Sequence, residues 1–222
     1  MTQESVQVGK YTLESLTTGM YSDPKIVYRE YIQNSVDSLE NAVAIGLIEP
    51  QSMRIDIIVN AEESYICIKD NGTGIPSAEA SKTLMNVGSS KKRNSNNRGF
   101  RGIGRLGGMS YCDTLVFTTS AETEVVKTVI TFDCKKLRHL LVPGEYEDMS
   151  LSAVLKEITT IDVLPEKPEK HYLSVEMKEV NSFSDLLDID AAKSYISQVA
   201  PLPYQSRHFI YTSQLKSYLS DN

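Results

Sequence analysis

Three groups of residues in this chain have types and spacings that could do chemistry together. The first is Glu30, Asn34 and Asp37 in YREYIQNSVDS. At about 100° per helical residue these three side chains fall within roughly 60° of one another, opposite Tyr28, Ile32, Val36, Leu39 and Val43. A carboxylate can accept a proton from water, an amide oxygen can ligate a hard cation, and a second acid extends the polar face. The second group is Asp70-Asn71-Gly72-Thr73-Gly74-Ile75. An aspartate at the end of an apolar run, followed by two glycines that let backbone approach a flat ligand, suits acceptance of a hydrogen bond from the amine of a base. The third is Gly99-Phe100-Arg101-Gly102-Ile103-Gly104, within a stretch that packs five glycines into positions 99–108. Consecutive amides freed by glycine can face a phosphate, and a helix beginning near Gly104 would add its positive end.

Each group also has a plain structural reading. The helix face could be solvated surface, Asn71-Gly72 could be a type I′ hairpin turn, and Arg101 and Arg105 could contact phosphate or only solvate a helix end. The glycine spacing is GxxGxG, not the dinucleotide pattern GxGxxG, and no GxxxxGK[ST] occurs.

The elements that must position these residues are legible in the flanking sequence. A helix is expected over 23–46, with Ser22 or Asp23 as cap, Pro24 at its first position and Gly46 closing it in a left-handed conformation. Alternation predicts strands at 54–60 and 65–69 joined by a turn over 60–64, the second delivering Asp70. A helix capped by Ser77 is expected over 77–86, then a basic mobile loop over 88–98. Further strands are expected at 114–119, 124–132 and 172–180, helices within 150–158 and over 188–199, and a proline-rich connector over 163–170. Residues 1–22 suggest a short strand or arm and a helical turn.

The 222 residues suffice for one domain with a sizeable core, expected over 1–200, with 201–222 as an extension or the start of another domain. Cys67, Cys112 and Cys134 are odd in number and lack CxxC spacing, which argues for reduced thiols and against a zinc site. No signal-peptide order and no apolar run near the roughly 18 residues of a membrane span is present, so the cytoplasm is the expected location. The net charge of -6 argues against a broad nucleic-acid surface, although residues 91–105 carry six basic side chains and no acid. Asn71-Gly72-Thr73 matches the glycosylation sequon by coincidence.

Taken in order, ExxxNxxD on a helix, then DNGTGI, then GFRGIG after a basic segment, the three groups resemble the Bergerat-fold (GHKL) ATPases, the superfamily of the DNA gyrase ATPases, the ninety-kilodalton heat-shock chaperones, histidine kinases and MutL. YREYIQNSVDS most closely resembles the heat-shock-chaperone-like branch. The resemblance implies an α/β (α+β) two-layer sandwich with a mixed, mostly antiparallel sheet and helices on one face. By that resemblance Glu30 activates the attacking water and Asn34 ligates Mg²⁺. Asp37 lies at the pocket edge, Asp70 pairs with the adenine amine, and Gly72, Gly74 and Ile75 flank the base. Gly99, Phe100, Arg101, Gly102, Ile103 and Gly104 cradle the phosphates, and 88–98 forms the lid.

The implied function is Mg²⁺-dependent binding of ATP or ADP and slow ATP hydrolysis, driving lid closure or dimerisation in a chaperone-like or remodelling protein with a protein partner or client. A nucleotide-gated interaction module with little turnover, and a topoisomerase or repair-type ATPase, are the alternatives. One departure stands out. The late strand His171 to Met177 lacks the threonine usual in that branch, so Ser174 or a water would have to substitute.

Overall fold

A computed structural model describes residues 23–85, 104–142, 144, 146, 149–182 and 185–199. Its framework is a six-stranded sheet in the order β1-β2-β6-β3-β4-β5, formed by β1 (Ile55–Asn60), β2 (Tyr65–Asp70), β3 (Cys112–Ser120), β4 (Val126–Asp133), β5 (Thr159–Pro165) and β6 (Tyr172–Val180). Every described pairing is antiparallel. The registers carry one apolar row across the sheet, from Ile57 to Ile68, Val175, Phe117, Ile130 and Ile161. Side chains two apart share a face, so Ile66, Ile68 and Asp70 of β2 all point to the side that carries this row. Asp70 is therefore aimed into the core by strand alternation.

Helix α1 (Ile26–Ala44) supplies Val27, Tyr28, Tyr31, Ile32 and Val36 to the core cluster, where they join Ile66, Ile68, Phe117, Val175 and Met177. Phe117 meets Tyr31 and Phe132 edge-on, at centroid distances of 6.4 and 6.0 Å. The helix begins two residues later than its cap signals predict. Asp23 Oδ1 accepts the Lys25 amide at 2.9 Å and the turn 23–25 leads in, so Pro24 lies ahead of the first helical residue. At the other end Gly46 has φ +73°, the left-handed closure expected of it. Helix α2 (Ser77–Met85) starts at Ser77, and its cap is not the Ser77 hydroxyl: the Ser77 amide donates to Glu124 Oε2 at 3.0 Å.

Three further α-helices lie among the described residues: α3 (Cys134–Leu140), α4 (Leu151–Ile158) and α5 (Ile189–Val199). Asp133 caps α3 by accepting the Lys136 amide at 2.7 Å, and Ser150 caps α4 through the Ala153 amide at 3.3 Å. The expected connector over 163–170 is overturned in its first part, since Val163, Leu164 and Pro165 belong to β5, paired with Thr128, Lys127 and Val126. β5 is an edge strand, and Pro165 at its end is compatible with that position. No helix among the described residues is long and apolar enough to cross a membrane.

Candidate functional site

α1 brings two of its expected polar residues, Glu30 and Asn34, half-buried to one side of the sheet, so this face is not bulk-solvated surface. Asp37 is 4% exposed and accepts Gln33 Nε2 at 3.1 Å across one helical turn. The Glu30 carboxylate lies against Gly104: a Cβ at that glycine would overlap Oε2. Gly104 opens a 3₁₀ helix, Gly104–Ser110, the short helix expected near that position.

The Asp70 turn packs farther along the same helix. Ser38, one turn beyond Asn34, accepts the Thr73 amide at 3.1 Å, and a Cβ on Gly72 would collide with the Ser38 side chain. Gly74 has φ +62° and leaves no room for a side chain against the Ser120 carbonyl. Asn71-Gly72 is not a hairpin turn. Asn71 Oδ1 accepts the Arg54 amide at 2.8 Å and Nδ2 donates to the Ser52 carbonyl at 2.9 Å, which ties the turn to β1 while the chain continues into α2.

Within this turn Asp70 is 2% exposed. Its Oδ1 accepts the Gly72 amide at 2.9 Å, whereas Oδ2 is buried with no hydrogen-bond partner among the described residues. Burial pushes the carboxyl up from an ordinary 3.8 to about 6, opposed first by the Gly72 amide and then by the nearby Ser35 hydroxyl, Leu173 amide and Ser38 hydroxyl. A buried carboxylate oxygen with no donor is costly, and a dry N–H donor arriving beside it would recover that cost.

Residues that the sequence did not single out hold the turn in place. Thr119 of β3, 1% exposed, accepts the Ile75 amide at 2.8 Å and donates to the Tyr172 carbonyl at 3.0 Å. His171 Nδ1 lies 2.8 Å from the Gly72 carbonyl oxygen, so that nitrogen carries the hydrogen. Ser174 faces away from this turn, its hydroxyl 3.4 Å from Cys67 Sγ and its register partner Lys69. Thr119 on the neighbouring strand supplies a hydroxyl that bonds this turn. Arg105 Nε donates to the Leu84 carbonyl at 3.1 Å, which identifies one role for Arg105 as holding the end of α2. Gly99, Phe100, Arg101, Gly102 and Ile103 lie outside the described residues, as do the expected lid 88–98 and the extension 201–222.

The arrangement offers a dry, fixed acceptor, a backbone stripped of side chains at Gly72 and Gly74, an amide oxygen suited to a hard cation, and a carboxylate beside the Gly104 turn. Its ligating atoms fit an adenine base with Mg²⁺-bound phosphates, since Asp70 Oδ2 lacks a donor among the described residues and Mg²⁺ is usually held by few protein oxygens plus phosphates.

The family model described as histidine kinase-, DNA gyrase B-, and HSP90-like ATPase matches residues 21–160, which include Glu30, Asn34, Asp37, Asp70 and Gly104. Among curated proteins, chaperone protein HtpG of Acinetobacter baylyi (strain ATCC 33305 / BD413 / ADP1) is 30% identical over 84 residues. That match covers 35% of this chain and 13% of the chaperone, a minor part of the relative's length.

Proposed function

The chain belongs to the histidine kinase-, DNA gyrase B- and HSP90-like ATPase family, and from that premise we propose that it binds ATP with Mg²⁺ between α1, the Asp70 turn and the Gly104 turn, and hydrolyses it slowly. The observation that carries this reading is Asp70 Oδ2, a buried acceptor without a donor among the described residues. The adenine amine donates to it, and Gly72 and Gly74 let the backbone lie close to the ring. By the family resemblance the glycine segment 99–104 is the one that would serve the phosphates, and of it Gly104 is described. Glu30, beside Gly104, takes the proton from the attacking water as the water oxygen bonds to the γ-phosphorus and the bond from that phosphorus to the β–γ bridging oxygen breaks, releasing ADP. Asn34 would hold Mg²⁺, which when bound neutralises charge on the β- and γ-phosphates.

The likeness to a chaperone over a minor part of that protein's length supports a chaperone-like or remodelling role; nucleotide-driven closure, a dimeric ATP-bound form, a protein client and a cytoplasmic location are further parts of the proposal. Glu30→Gln tests the hydrolytic part. Turnover is expected to fall at least about 100-fold while ADP affinity stays within about threefold, because the amide keeps the shape and loses the base. Unchanged turnover would remove Glu30 from the chemistry. Nucleotide binding with no turnover in the wild type would make this a nucleotide-gated interaction module.

A further inference from the structure

Tyr31 follows Glu30 on α1 and is 2% exposed. Its ring packs edge-on against Phe117 in the core, work that an apolar ring would do equally well. Its hydroxyl does something else, donating to the Arg105 carbonyl at 3.1 Å and accepting the Gly108 amide at 3.1 Å. Burial raises the hydroxyl well above its usual range, so it stays protonated and remains a donor.

Both partners of that hydroxyl lie on the 3₁₀ helix whose first residue, Gly104, abuts the Glu30 carboxylate. Two other bonds brace the same helix, from Arg105 Nε to the Leu84 carbonyl at 3.1 Å and from Cys112 Sγ to the Gly108 carbonyl at 3.2 Å. Gly108 is obligatory in this packing, because a Cβ there would strike the Tyr31 hydroxyl. A closed circuit results. It runs from the Glu30 carboxylate along the backbone to Tyr31, through the hydroxyl to Arg105, and through one peptide to Gly104 and back to Glu30.

We propose that Tyr31 is a positioning residue that sets the distance between the Glu30 carboxylate and Gly104, the first residue of the 3₁₀ helix. The proposal rests on the hydrolytic reading above and deepens it. Removing the hydroxyl opens the circuit at the reacting end and leaves the Asp70 end of the site untouched. Turnover then suffers and base binding does not, since small displacements of a reacting pair are felt in rate.

Steady-state ATP hydrolysis, ADP calorimetry and amide exchange on wild type and Tyr31→Phe test this. A fall in kcat of about tenfold is expected, with KM and ADP affinity within about twofold and faster exchange confined to residues 104–110. Unchanged kcat, or kcat and ADP affinity falling together, would overturn the proposal. Gly108→Ala gives an independent arm should Tyr31→Phe fold poorly. Its loss of kcat should be smaller in the Tyr31→Phe background, where the atom it strikes is gone, and equal losses in both backgrounds would refute the circuit. A wild type that binds ADP without turning over ATP would overturn the hydrolytic reading and this role with it. A wild type that turns over beside an unaffected Tyr31→Phe would overturn this role alone.

Discussion

Asp70→Asn separates stability from binding because the structure assigns the carboxylate a cost in the empty protein and a use in the occupied one. Burial moves the Asp70 carboxyl from 3.8 to about 6. Between those values the folded protein holds a proton that the unfolded chain has lost, so stability falls as pH rises through that window and levels off above about 6. The loss amounts to about 3 kcal/mol. Asparagine has no such titration. Its amide meets a different, pH-independent cost of about 1–3 kcal/mol for a donor left unpaired at the position of Oδ2.

The stability difference between Asp70→Asn and wild type should therefore move by about 3 kcal/mol in favour of the variant between pH 3.5 and 7.5, read by urea unfolding at each pH. Binding should move the other way. Asp70 must present two acceptors, one to the Gly72 amide and one to the ligand amine, and asparagine has a single oxygen. ADP affinity should drop at least about 30-fold by calorimetry, the cost of a charge-assisted bond and a donor facing a donor. In the wild type ADP affinity should weaken below about pH 6, where the carboxyl takes up its proton. Parallel stability curves would refute the burial argument, and unchanged ADP affinity would refute the adenine assignment.

Other perturbations follow from the same turn. Gly74→Ala forces a side chain into φ +62° and into the Ser120 carbonyl, and should lower stability by about 2 kcal/mol or more, seen as a Tm several degrees lower by calorimetry. Thr119→Val keeps the volume but leaves the Ile75 amide and its surroundings short of an oxygen, costing about 1–3 kcal/mol in denaturant unfolding with weaker ADP binding alongside. Ser38→Ala removes the acceptor of the Thr73 amide, and should cost about 1 kcal/mol and a few-fold in ADP affinity, with turnover per bound ATP unchanged.

What the sequence made legible was set by periodicity and by glycine. α1 has an apolar stripe and a glycine stop, and the alternation in 54–60, 65–69 and 172–180 leaves little choice of element. α3 escaped notice because it is seven residues long and half basic, although Asp133 as cap with Cys134, Leu137 and Leu140 three apart was the available signal. β5 was masked by Pro165 and the charges that follow, and its exposed Ile161, Val163 and Leu164 give no clean alternation because an edge strand is wet on both faces.

The site divides along similar lines. Glu30, Asn34 and Asp70 stand out as candidates in the sequence because short spacings carry their chemistry. Ser38, Thr119 and His171 were not, since each acts by touching a backbone group brought near only by the sheet and the helix that covers it. Thr119 in particular lies on β3, beside the late strand β6, and reaches the Ile75 amide only once the two strands pair.

The most direct test of the account is a crystal structure of the chain with ADP and Mg²⁺. The adenine amine should lie within hydrogen-bond distance of Asp70 Oδ2, the cation on the Asn34 side-chain oxygen, and the phosphates on the Gly104 side of Glu30. An ADP molecule seated elsewhere, with Asp70 Oδ2 still without a donor, would contradict it.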